Sequence, residues 1–347
     1  MLTALHRAAG AVFAEAEALP RHYGDPAGEY HAAHHAAVLV DRSDEGRLML
    51  EGADRLAILH RISTNEVTGL QPGEGRASVL VTPVGRIIDR LVLHNLDTDR
   101  TLVRAGAGRG GSVAAYLRRN IFFRDRMQVQ DISDESVTFM LYGPQAYAIA
   151  ETLTLIDGLS TLPLHHVKTG QFNSAPLIVF AADSPGVPAI GLVISADRAG
   201  ELWAALLTAG QPGGLRPTGH DVVEMLRIEA ALPGAGAELT EDFIPLEAGL
   251  WADVSFTKGC YTGQEILARM ESRGKLAKTL VGLELSGAAQ PGAPLKVDGR
   301  NYGVMTSCTR LPDGRWIGLG FIKPEFAVAG QAVIVGEDMP GVVSVVP

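Results

Sequence analysis

The chain has 347 residues, 46% of them hydrophobic and 20% charged, with a formal net charge of −9. That length supports two or three domains with real cores, and the acidic balance argues against direct nucleic-acid binding as the main task. Two cysteines, Cys260 and Cys308, cannot make a disulfide framework and fit a reducing compartment, while no apolar run approaches the roughly 20 residues that span a bilayer.

Periodicity predicts a helix over residues 3–18, ended by Pro20. Glu15 and Glu17 within it, and the lack of arginine enrichment, argue against a targeting segment. The reading is a cytoplasmic protein with no membrane partner. His31 and His35 have the i,i+4 spacing that can serve a metal. No HExxH pattern or cysteine pair completes such a site, and no metal is expected.

"GRLMLEG" (46–52) alternates as a strand, and "ADRLAILHRIS" places Leu56, Leu59 and Ile62 on one helical stripe. "ASVLVTPVGRIIDRLVLHNL" (77–96) reads as two strands joined at Thr82–Gly85. A helix "GSVAAYLRRNIF", a strand "VTFMLYG" and a helix "PQAYAIAETLTL" follow. "YLRRNIFFRDRM" (116–127) gathers Arg118, Arg119, Arg124 and Arg126 among aromatic residues. It is read first as a solvated face, then as a site for a protein partner or a polyglutamate tail, and last as an RNA contact, which its interleaved aromatics could serve.

Further on come strands "LIVFAA" (177–182) and "AIGLVIS" (189–195), then helices "AGELWAALLTAG" and "GHDVVEMLRIEAAL". From Thr279 short strands separated by Gly, Pro and Asp-Gly turns predict a small all-β barrel. The expected fold is therefore α+β. Residues 1–136 form a first subdomain, 137–276 a second that carries the cysteine loop, and 277–347 the barrel.

"KGCYTGQE" (258–265) is the most informative stretch. Thr262 and Glu265 have capping-box spacing, Glu265 and Arg269 an i,i+4 ion pair, and Gly274 a helix stop. Cys260 would then lie two residues before an N-cap, near the positive helix end, with Lys258 adding charge. Both effects favour a thiolate. A small buried filler is the alternative reading of the same cysteine.

The octapeptide resembles the signature of the YgfZ family of folate-binding proteins, which assist iron–sulfur enzymes. "GRLMLEGADRLAILHRISTNEVTGLQPGEG" resembles the early part of the wider aminomethyltransferase superfamily, which includes the glycine cleavage T-protein. "FFRDRMQVQDISDE" and "YGVMTSCTRLPDGRWIGLGFI" also resemble family segments. The resemblance implies a two-part folate-binding body with a C-terminal β-barrel around a central channel. It implies tetrahydrofolate as cofactor, and Cys260 with Lys258 as reacting groups. Iron–sulfur proteins, tRNA-modifying ones among them, are the implied clients, with no direct nucleic-acid contact. Arg227 in "LRIEAAL" matches a folate-contacting arginine, its fork suited to a carboxylate. Asp89, Tyr261, Gln264 and Glu229 complete the expected folate contacts.

The chain also departs from the transferase. Its paired aspartates become Asp89 and Arg90 in "GRIIDRLVL". Its pterin-holding glutamate stretch corresponds to "VPAIGLVIS", where Gly191 remains but Ala189 and Val193 offer no polar side chain. Aminomethyl transfer or demethylation is therefore the alternative activity rather than the first.

Overall fold

The computed structural model describes residues 2–15 and 17–346. α1 (Leu2–Ala8) and α2 (Pro26–His35) precede β1 (Val38–Asp41) and β2 (Glu45–Glu51). α3 (Arg55–Ile62) leads to β3 (Gly75–Val81), β4 (Ile87–Asn95) and β5 (Arg100–Ala107). After α4 (Gly110–Arg119) come β6 (Gln128–Asp131), β7 (Ser136–Tyr142) and α5 (Ala146–Thr154). β8 (Val167–Phe172), β9 (Ala175–Ala181) and β10 (Ala189–Ser195) follow, then α6 (Ala199–Gly210), β11 (Arg216–Thr218), α7 (His220–Glu229) and α8 (Gln264–Arg273). The last strands are β12 (Thr279–Leu285), β13 (Pro294–Val297), β14 (Arg300–Arg310), β15 (Trp316–Ile322), β16 (Ala332–Val335) and β17 (Met339–Val345).

The chain forms two compact units. One comprises Met1–Ile62, Val67–Ser78 and Leu91–Val223; the other comprises Ser63–Glu66, Val79–Arg90 and Glu224–Pro347. The first unit contains a six-stranded sheet in the order β11-β1-β7-β10-β9-β8. Alternation decides its faces. Val137, Phe139 and Leu141 of β7 and Ile190, Leu192 and Ile194 of β10 share one core with Ile149 of α5 and Leu202, Trp203 and Leu206 of α6. Each such side chain contributes about 1.5–3 kcal/mol by leaving water. A five-stranded sheet has the order β3-β4-β5-β2-β6. The turn joining β3 to β4 belongs to the second unit, as does the barrel.

That barrel is closed, in the order β12-β15-β14-β13-β16-β17. Val281, Leu283, Leu295, Met305 and Val343 fill it. Closure removes the exposed edges that a sheet of short strands would otherwise present. The expected barrel is present; its last strand, β17, carries Pro340 and Gly341 within "MPGVVSV".

The predicted N-terminal helix is cut short. α1 stops at Ala8, Gly10 adopts φ +86°, and Val12 bridges to His22. A glycine in the left-handed region is a helix terminator. Tertiary bonds then anchor the short helix: His6 Nε2 lies 2.9 Å from Asp41 Oδ2, and its Nδ1 lies 2.7 Å from the Tyr23 hydroxyl. In α3 the buried stripe is Arg55, Ile58, Leu59 and Ile62 rather than one through Leu56. The Arg55 guanidinium is buried because Thr101, Asn95 and three backbone carbonyls receive its N–H groups. His31 and His35 stack at 4.1 Å, and no cluster of three metal-binding side chains occurs among the described residues. No helix among them is long and apolar enough to cross a membrane.

Candidate functional site

The cysteine loop belongs to the second unit, and its shape is set by the short segment Ser63–Glu66. Thr64 Oγ1 donates to the Asp253 carbonyl at 2.6 Å and accepts the Val79 amide at 2.9 Å. Asn65 Nδ2 donates to the Ala252 carbonyl at 2.8 Å, and the Ser255 amide donates to the Thr64 carbonyl at 2.9 Å. These bonds fix the chain just before Lys258. The buried Lys258 ammonium then donates to the Ser63 and Asn65 carbonyls, both at 2.8 Å, and sits 5.0 Å from the Tyr261 ring centre. Burial lowers its pKa from 10.5 to about 8, against the opposing field of Glu66.

Beyond this anchor the loop turns outward. Cys260 is exposed and is not in a disulfide, so the buried-filler reading fails for it. Cys308 is half-buried in the barrel; its sulfur accepts the Ala289 amide at 3.4 Å, and burial pushes its thiol pKa up. Tyr261 turns inward against Ile244, Leu246, Val254 and Leu267. Its hydroxyl is buried without a hydrogen-bond partner, and burial raises the phenol to about 12. Gln264 Nε2 reaches the Lys258 carbonyl at 3.4 Å.

The capping box does not form. The N-cap is Gly263, at φ +82° and with no side-chain cap bond, so α8 starts one residue later than Thr262 capping would place it. A Cβ at Gly263 would lie 2.7 Å from the Thr82 carbonyl oxygen, so the close approach of the β3–β4 turn demands glycine here. Cys260 is therefore three residues, not two, before the N-cap. The Glu265–Arg269 ion pair (2.8 Å) and the left-handed Gly274 stop are both present.

Asp89 is 4% exposed, so its carboxylate lies inside the fold rather than on a solvated strand face. Arg90 has a carboxylate of its own: its Nε donates to Asp253 Oδ2 at 2.6 Å, with both side chains largely buried. Arg86 donates to the Asp242 carbonyl at 2.7 Å and lies 3.7 Å from Glu247. Asp253 was not legible in advance, because its partner lies 163 positions away.

Arg227 is tied down. Its Nε and Nη2 grip both Glu224 oxygens at 2.7 and 2.6 Å. Nη1 reaches Glu238 Oε2 at 3.1 Å and the Leu232 carbonyl at 3.3 Å, and Nη2 also reaches Ser307 Oγ at 2.8 Å. All five guanidinium N–H groups thus have internal acceptors. Glu238 is wholly buried and also takes the Ser307 hydroxyl and the Gly234 amide. A ligand carboxylate would have to displace Glu224 to reach this arginine. The i,i+3 spacing of Glu224 and Arg227 was the sequence signal for the first half of this knot; nothing local announced Glu238 or Ser307. Glu229 is half-buried on the same helix; the Asp313 hydrogen bond chiefly raises the pKa of Arg315, and the field of Glu229 adds to it.

In the first unit Ala189 and Val193 are buried, and Phe180 packs so closely over Gly191 that a Cβ there would meet its ring at 2.0 Å. Where the transferase pattern has glutamates, this strand therefore presents apolar packing.

Comparisons with known proteins bear on what this arrangement serves. Residues 2–258 match the GCVT N-terminal domain. A chloroplastic protein of Arabidopsis thaliana, provisionally named a transferase, is 35% identical over 312 residues, covering 89% of this chain and 71% of that one. The aminomethyltransferase of Shouchella clausii is 32% identical over 303 residues, covering 86% and 82%. The crystal structure of glycine cleavage system aminomethyltransferase T from Bartonella henselae matches with a TM-score of 0.88 at 25% identity, over 100% of this chain and 96% of that one.

Proposed function

Because the chain belongs to the GCVT family and shares the aminomethyltransferase T fold, we propose that it binds a tetrahydrofolate and acts on one-carbon units. The observation that carries this reading is the likeness along the whole chain, barrel included, to an aminomethyltransferase. Two groups of the second unit are our candidates for contacts to a reduced pterin. The Tyr261 hydroxyl is a buried donor and acceptor without a partner, and Asp89 is a buried carboxylate suited to an amine or amide N–H. Bound tetrahydrofolate would supply the ring nitrogens that carry a one-carbon unit. Arg227 is better placed to brace the fold than to hold the glutamate tail.

Calorimetry with tetrahydrofolate tests this. Binding in the micromolar range or weaker is expected, since the pterin-holding glutamates are replaced. No heat and no thermal shift at millimolar ligand would remove the reading. Tyr261→Phe gives a sharper test. Deleting an unsatisfied buried hydroxyl should stabilise the ligand-free protein by about 1 kcal/mol, and losing a ligand bond should weaken binding by about 0.5–1.5 kcal/mol.

Two finer readings rest on different observations. The relatives' names support aminomethyl transfer to tetrahydrofolate, which incubation with an aminomethylated carrier protein would reveal as ammonia release. The buried Arg90–Asp253 pair stands against it, because it occupies the place of a second carboxylate. The "KGCYTGQE" loop supports a cytoplasmic accessory factor of the YgfZ type, acting in assembly or repair of iron–sulfur proteins such as tRNA-modifying enzymes. Its support is that the loop anchors Lys258 inward and presents Cys260 outward. Ammonia release independent of Cys260 would favour the transferase. Loss of iron–sulfur enzyme activity in a strain carrying only Cys260→Ser, without ammonia release by the wild type, would favour the accessory role.

A further inference from the structure

In the first unit α4 ends at Arg119, and the chain then makes the tight turn Phe122–Asp125 before β6. The turn is closed twice. The Asp125 amide donates to the Phe122 carbonyl at 2.9 Å, and the Phe122 amide donates back to Asp125 Oδ2 at 2.8 Å. Arg61 clamps it from beneath: Nη2 reaches the Asn120 carbonyl at 2.8 Å and Asp125 Oδ2 at 2.7 Å, and its guanidinium lies 4.4 Å from the Phe122 ring centre. On the far side Arg126 is held by Asp54 through its amide at 2.9 Å and its guanidinium at 3.1 Å. Phe123 and Arg124 are left at the tip of a braced turn.

Phe123 is fully exposed (103%) and Phe122 largely so (62%). Folding gains nothing from Phe123. Scattered surface apolar residues are ordinary, but this one is held out rigidly, beside a second phenylalanine and between exposed arginines. Arg118, Arg119, Arg124 and Arg126 are all exposed on this segment. Arg126 is neutralised by Asp54 and Arg118 donates to the Val129 carbonyl; Arg119 and Arg124 make no ion pair among the described residues. A braced aromatic knob with three guanidiniums on its segment, Arg118, Arg119 and Arg124, that no carboxylate neutralises among the described residues, on a chain of net charge −9, has the composition of an interface anchor. Its ordering cost is met before any partner arrives.

We propose that the Phe122–Arg124 tip is a docking knob for an acidic protein, with Phe123 entering an apolar socket and Arg119 and Arg124 meeting carboxylates around its rim. Charge complementarity selects that occupant. A single-stranded nucleic acid fits less well, because it wants successive free aromatic faces and Arg61 already covers Phe122. An anionic membrane fits less well, because one short tip gives only marginal attachment. The proposal stands apart from the folate reading and does not depend on it.

The test places p-benzoylphenylalanine at position 123 of the full chain in its host, irradiates, identifies the adduct and purifies the captured protein. The expected partner is acidic. It should bind the wild type with an affinity that falls as salt rises, and Phe123→Ala and the pair Arg119→Glu, Arg124→Glu should each weaken binding about tenfold or more. Both variants lie at exposed positions and should melt like the wild type. Three outcomes would overturn the proposal: no discrete adduct, a captured protein whose binding ignores both variants, or Phe123-dependent binding to a uridine 16-mer or to phosphatidylserine vesicles.

Discussion

Arg227 and Lys258 look alike in sequence, each a cation in a family motif and each suited to an anionic ligand. They differ in what receives their N–H groups. Arg227 meets two carboxylates, one of them wholly buried, and a hydroxyl from β14. Lys258 meets two backbone carbonyls, with Glu66 the carboxylate whose field opposes its loss of charge. The carboxylates raise the Arg227 pKa against its burial, whereas burial lowers the Lys258 pKa against the field of Glu66. The first arrangement builds a strut between α7 and the barrel. The second builds a polarised anchor whose charge state can change near neutral pH.

Removing the strut is the largest effect expected. Arg227→Ala would remove the cationic partner of the buried Glu238 carboxyl, which costs about 3–5 kcal/mol. Urea melts at pH 7 should show it. A melt within 1 kcal/mol of the wild type, combined with loss of tetrahydrofolate binding, would restore the sequence-based reading of Arg227 as a ligand residue.

Legibility followed the range of the interactions. β10 and the β3–β4 pair were visible because side-chain alternation is local, and "AIGLVIS" coincides with the observed strand. Turn residues and spacing likewise revealed the barrel. Thr262 misled because T-x-x-E is a local pattern, while Gly263 was decided by the approach of the Thr82 carbonyl from another strand. The predicted N-terminal helix failed in the same way, since apolar spacing continued past Gly10 although its backbone did not. In the site, Cys260 and Lys258 could be singled out from eight residues. The segment Ser63–Glu66 that holds them could not, because a carbonyl acceptor has no side-chain signature.

Disturbing the anchor should cost less than removing the strut. Lys258→Met would remove the ammonium donor to the Ser63 and Asn65 carbonyls, a loss of about 1–3 kcal/mol at pH 7. The sign of its pH dependence follows from the depressed pKa. Between about pH 8 and 10.5 the folded lysine has lost its proton while the unfolded one keeps it. The unfolded state then binds more protons, and stability rises with pH across that window. The wild-type minus Lys258→Met difference, measured by urea melts from pH 7 to 10.5, should therefore widen. A flat difference would mean the ammonium is solvated like a surface lysine, and the contrast with Arg227 would lapse.

The smallest effect on stability belongs to the residue on which the accessory reading rests. Cys260 is exposed and its replacement by serine changes little volume, so Cys260→Ser should melt within about 0.5 kcal/mol of the wild type. Tetrahydrofolate affinity should also hold, since the proposed contacts come from Tyr261 and Asp89. Cys308 offers the internal control. It is half-buried, accepts an amide hydrogen bond and has its thiol pKa raised. Alkylation of the native protein should therefore modify Cys260 well before Cys308, and unfolding should erase most of the difference. If Cys260→Ser fully supports iron–sulfur enzymes in a strain lacking this protein, the exposed thiol is incidental and the accessory reading falls. If that variant fails while its stability and folate affinity are unchanged, the defect lies in the thiol itself, because the anchor beneath it is intact.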